Sequence, residues 1–187
     1  GGVKAVSVGR WVQRVGQASK GAEGKVTWCE GRGDQAGGNG GWGGALAVHA
    51  VAENVVGPYI DQGVCWPDSL DGKGHNVTAL VLPNNEGYAV IVSETRPGAV
   101  FVSKSLDGPW TMKGLLTVDG QPNWRASNVS VLIRPDGDFM IVPRNGRVMI
   151  SKASDGVCGP YKLIGPAYPT GTPKLEDHDT FSSRPSS

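Results

Sequence analysis

Little in this sequence allows for helix. Twenty-nine glycines and thirteen prolines are spread over 187 residues, and both residue types interrupt helical hydrogen bonding. No long segment repeats its apolar residues at the 3.6-residue helical period. A run of 18 apolar residues is also missing, so no helix of membrane-spanning length is expected and no membrane partner with it. The net charge is only +1, without the basic excess of a dedicated nucleic-acid binder, so nucleic acid is not expected as a partner. Cysteine is scarce and odd in number. Cys29, Cys65 and Cys158 permit one internal pair at most, and their spacings match no zinc motif, so unpaired structural thiols are expected. The first twenty residues lack the continuous apolar core of a signal peptide, which reads as a mature, internal or cytosolic segment.

What the sequence does contain is short β-branched runs separated by turn residues. Across residues 76–109, the runs 77–82, 88–92 and 99–103 are split by Pro83-Asn84-Asn85-Glu86-Gly87 and by Arg96-Pro97-Gly98. Such turns need positive φ or a fixed φ, which Gly, Asn and Pro supply, so the unit reads as an antiparallel meander.

The unit repeats. Gly57-Pro58-Tyr59, Gly108-Pro109-Trp110 and Gly159-Pro160-Tyr161 follow one another at intervals of 51 residues. In nearly the same phase, Asn76-Val77-Thr78 matches Asn128-Val129-Ser130, and the run 87–92 matches 138–142. A period of this size with about four strands per unit predicts an all-β protein, a β-propeller of four-stranded antiparallel blades. Residues 1–43 are the unreadable, glycine-rich part of a first blade, with one strand near Val26 to Cys29. Residues 44–181 carry the blades, beginning with a buried strand at 45–51 that contains a packed His49 and an outer strand at 59–64. Residues 182–187 form a polar tail. At this stride the chain holds about three and a half units, whereas closed propellers have four to eight. Unpaired strand edges in an open arc invite association, so self-association or a further chain segment completing the ring is expected.

The stretches from Ser103 to Trp110, from Asn128 through Arg134 to Val142, and Leu175-Glu176-Asp177 resemble the blade signatures of carbohydrate-active propellers of glycoside hydrolase family 43. Gly74-His75-Asn76 is more similar to the related propeller polysaccharide lyases. The resemblance implies carbohydrate recognition and cleavage of a glycosidic bond, with a secreted or extracellular setting. Two departures stand out: the inner strands of those relatives often begin Asn-Pro, where here Val77 and Val129 follow the asparagines, and the early-blade catalytic Asp of the hydrolases has no clear counterpart before Gly44.

In a propeller, residues of equal phase converge on the rim of the central channel. The columns are Lys73, Arg125 and Lys174; His75, Ser127 and Glu176; and Asn76, Asn128 and Asp177. A basic residue recurs at one offset, which suits an anionic sugar such as a uronic acid. β-Elimination of a uronate needs a cation on the carboxylate and a base titrating near neutrality. His75 is the candidate acid/base, Arg125 the carboxylate clamp and Asp177 a catalytic acid. Lys73, Asn76, Trp124, Asn128, Arg144, Lys174 and Glu176 are candidate substrate-binding residues. Each has a plainer reading: Asn76 and Asn128 as turn formers or glycosylation acceptors, Lys73 and Lys174 as solvated charges, Arg125 on Trp124 as a structural stack, and Arg144 as part of a hairpin turn. No cofactor is required, although a divalent cation could occupy the channel. Hydrolysis would instead need two opposed carboxylates, and the alternatives to an enzyme are a non-catalytic glycan-binding propeller or a protein-interaction scaffold.

Overall fold

The computed structural model describes the backbone of residues 5–8, 11–14 and 26–32, the backbone alone of 51 and 52, and residues 46–168 apart from 53–57, 59, 75–76, 94–96, 122 and 127–128. Among them, the sole helical element is a 3-10 turn at Leu70–Gly72. The described residues form thirteen strands in three sheets. The first holds β1 (Ala5–Val8), β2 (Trp11–Arg14), β3 (Val26–Arg32), β4 (Leu46–Ala52) and β5 (Ile60–Val64). The second is the meander β6 (Val77–Val81), β7 (Tyr88–Val92), β8 (Ala99–Ser103) and β9 (Thr111–Leu115). The third repeats it as β10 (Ser130–Ile133), β11 (Phe139–Val142), β12 (Arg147–Ser151) and β13 (Lys162–Pro166).

The second and third sheets are the four-stranded antiparallel blades the repeat predicts. The first departs from that expectation. It has five strands in the order β2-β1-β3-β4-β5, and β1 lies parallel to β3. β3 and β4 pair directly over their whole length. The four-residue strands β1 and β2, separated only by Gly9-Arg10, are too short for a sequence pattern to reveal. The half unit after residue 168 and the polar tail lie outside the described residues.

Local chemistry shapes the turns. Between β6 and β7, Asn84 and Asn85 adopt φ of 54° and 58°, values tolerated by short side chains that bond nearby backbone. Gly87 follows at φ 101°, where a Cβ would meet the Ser103 carbonyl at 2.3 Å, so no side chain fits. Gly159, at φ 97°, is excluded from carrying one by the Thr117 carbonyl at 2.4 Å.

Packing explains why β7 is apolar almost throughout, because its sheet is covered on both faces. Val90 and Val92 face the first sheet together with Phe101, against Ala47 and Trp66. The Trp66 and Phe101 rings stack there with centroids 4.0 Å apart and planes 10° from parallel. Ala89 and Ile91 face the other way, where Val100 and Leu116 meet Phe139, Ile141, Met149 and Tyr161 of the third sheet. Each fully buried side chain of this size contributes about 1.5–3 kcal/mol.

One hydrogen bond shows the repeat in space. Thr78 Oγ1 on β6 donates to the Val129 carbonyl just ahead of β10 at 2.5 Å, across 51 residues of chain. Positions one stride apart are therefore neighbours on adjacent inner strands.

Candidate functional site

An antiparallel meander places the segment leading into its first strand at the same end as the turn between its second and third strands. At that end, two lead-in segments are fixed to the preceding sheet in matching ways. The first carries Lys73, whose backbone bridges to Leu46 at the start of β4 and whose carbonyl accepts the Trp66 indole N–H at 2.9 Å. The second carries Arg125. On one side of it, the Trp124 carbonyl accepts from the Gly98 amide at 3.0 Å; on the other, the Ala126 amide donates to the Ser93 carbonyl at 3.1 Å. Both cations thus stand on clamped backbone, which limits how far each can wander. Arg144 lies at the corresponding end of the third sheet, in a turn closed by the Gly146 amide donating to the Pro143 carbonyl and the Arg147 amide donating to Asn145 Oδ1.

The two lead-in cations differ in what surrounds them. Lys73 Nζ is 2.9 Å from Asp71 Oδ2, with both side chains exposed. Such a pair contributes about 0–1 kcal/mol, yet it offsets part of the lysine charge that a ligand would meet. Arg125 is exposed and makes no ion pair among the described residues. A guanidinium in that state offers a planar fork of donors suited to a carboxylate. Asp71 is a charged neighbour of Lys73 that the column reading passed over. Its signal was its place two residues before Lys73, within reach of the same charge.

Trp124 requires a correction. Its side chain is 7% exposed and packs in the core between the second and third sheets, so it offers no free indole face to a sugar and cannot stack beneath Arg125 as an open platform. Its role is to anchor the segment that bears Arg125. His75, Asn76, Asn128, Lys174, Glu176 and Asp177 lie outside the described residues. Among the described residues no group of three or more His, Cys, Asp or Glu side chains could hold a metal ion. Among the described residues Cys158 is a free thiol, and burial pushes it above its ordinary value.

A second charged cluster lies at the opposite end of the third sheet and serves the fold. Asp138, 5% exposed, accepts from Lys152 Nζ at 2.7 Å and from the Ala153 amide at 3.0 Å. The Lys152 hydrogen bond and the Ala153 amide hold the Asp138 carboxyl below its ordinary range, and the same bond raises Lys152.

No family model matches the sequence, and no curated protein matches it. Among solved structures, a family 43 β-1,3-galactosidase with galactodeoxynojirimycin aligns at a TM-score of 0.54 and 12% identity, over 78% of this chain and 60% of that one. A proposed exo-β-1,3-galactanase from Bifidobacterium bifidum aligns at 0.43 and 13% identity, over 65% of this chain and 43% of that one. The chain therefore spans about three-fifths of the length of the galactosidase structure it matches. At such identity the likeness is one of fold: an all-β arrangement of blade-like sheets shared with family 43 propellers.

Proposed function

We propose that the chain acts on glycans as a glycoside hydrolase of the family 43 kind, with the Lys73 and Arg125 end of the sheets as its glycan-binding rim. The observation that carries this reading is the fold shared with a family 43 galactosidase, joined to a rim on which Arg125 is exposed. Hydrolysis needs an acid and a second carboxylate about 5–9 Å apart across the scissile bond. In this reading Glu176 and Asp177 supply carboxylates, Lys174 completes the basic column, and Asn76 and Asn128 position hydroxyls. Arg125 clamps a carboxylate, which favours a glycan bearing uronic acid, while the β-1,3-galactoside named for the structural neighbour is the neutral candidate.

Incubation with a β-1,3-galactan and with a panel of uronate polysaccharides tests the proposal. New reducing ends without absorbance at ~235 nm support hydrolysis, whereas absorbance lost in His75→Ala would move the chemistry to β-elimination with His75 as base. Saturable binding with no product would make the chain a binding module. Neither binding nor product on any glycan would overturn the glycan reading. A charge-assisted hydrogen bond contributes about 1.5–3 kcal/mol, so Arg125→Ala is expected to weaken binding of an acidic oligosaccharide by roughly 10- to 150-fold. Its neutral counterpart should bind nearly unchanged.

A further inference from the structure

Strand β4 carries a histidine where the packing favours an apolar residue. His49 is 5% exposed, and strand alternation puts it on the same face as Ala47, which packs against the second sheet. Its Nε2 has no hydrogen-bond partner among the described residues, and neither has Trp110 Nε1 in the same seam. In register, His49 lies between Cys29 on β3 and Gly63 on β5. The charged groups that act on it are Asp107, from the turn after β8 of the second sheet, and Asp61 on β5. Three residues before His49, the same strand begins at Leu46, whose backbone bridges to Lys73.

We propose that His49 is an acid-sensitive latch: neutral, it lets β4 pack on the second sheet, and its protonation loosens that seam together with the segment that carries Lys73. An imidazole costs far more to bury as a cation than uncharged, and nothing described accepts a hydrogen bond from Nε2 to offset the charge. Burial accordingly holds His49 below its ordinary value of 6.5, while Asp107 and Asp61 pull upward less strongly. The sign follows. The unfolded chain binds the proton more readily, so the latch contributes fully above about pH 6.5 and its contribution drains away as the pH falls toward the lower folded value.

The test is urea unfolding of the full chain at pH 7.5, 6.5 and 5.5 for the wild type, His49→Leu, His49→Gln and Asp107→Asn. One proton taken up on unfolding lowers the folding equilibrium constant by at most about tenfold per pH unit. The wild type should show up to that loss below pH 6.5, and the two His49 variants should lack it. Asp107→Asn removes an upward pull and should extend the loss to lower pH. Equal pH slopes in wild type and His49 variants would overturn the proposal. If neither His49 variant folds, hydrogen exchange on the wild type decides. At pH 5.5, after correction for intrinsic exchange rates, β4 and residues 70–74 should lose protection before β10–β13. Uniform loss over the three sheets would overturn it. None of these readouts depends on glycan activity.

Discussion

Replacing Thr78 by valine probes the contact that joins two repeats. The change keeps the shape of the side chain and exchanges the hydroxyl for a methyl, in a residue 7% exposed. Strand preference is preserved, since both residues are β-branched. What is lost is the bond from Oγ1 to the Val129 carbonyl at 2.5 Å. A buried carbonyl deprived of its donor costs about 1–3 kcal/mol. Thr78→Ser is the control, because it keeps the donor and loses one methyl, worth about 0.8 kcal/mol. For a chain of this length, 1 kcal/mol moves the melting temperature by roughly 2–4 °C. Valine should therefore lower it by roughly 2–12 °C, and serine by no more than about 4 °C. Urea unfolding with an unchanged m-value would assign the difference to stability rather than to compactness. The sign discriminates: if the hydroxyl did nothing, a buried extra methyl would stabilise the valine variant. A Thr78→Val protein as stable as the wild type, or more so, would refute the claim that residues one stride apart are bonded neighbours.

Two further predictions concern the third sheet. Gly156→Ala meets nothing within 4 Å at φ 80°, whereas Gly159→Ala at φ 97° drives a Cβ to 2.4 Å from the Thr117 carbonyl. Thermal melting should show a loss of about 1–2 kcal/mol for the first, from the left-handed backbone, and upward of about 3 kcal/mol for the second. Equal losses would mean that the Gly159 turn does not dock on the second sheet. Asp138, held below its ordinary value of 3.8 chiefly by Lys152 and then by the Ala153 amide, contributes stability above that value and loses it as the pH falls further. Asp138→Asn should flatten the acid limb of a stability profile, and an unchanged limb would exclude this carboxylate as its source.

How much could be read beforehand varied by region. The runs around Val77, Tyr88 and Ala99 became β6, β7 and β8 almost to the residue, because the connections between them carry Gly, Asn and Pro, whose backbone geometry favours a turn over a strand. His49 was expected to be packed and is buried. The first sheet resisted, since β1 pairs in parallel with a strand some twenty residues away and no turn chemistry advertises a non-local pairing. That Lys73 and Arg125 each precede the first strand of a sheet was legible from phase. The ion pair to Asp71 and the burial of Trp124 were not, because a period fixes which residues come near one another but not which way a side chain turns.

By itself the sequence determined the strands and turns of the second and third sheets, which depend on residues within a few positions of one another, and the stride that their recurring turns mark. The tertiary structure alone decided which face of each strand is covered, that Thr78 reaches Val129, and that an imidazole is sealed in the first seam with its Nε2 unpartnered among the described residues. Those outcomes depend on how neighbouring sheets close over one another, and burial, the quantity that sets the energy of a polar group, exists only once they have done so.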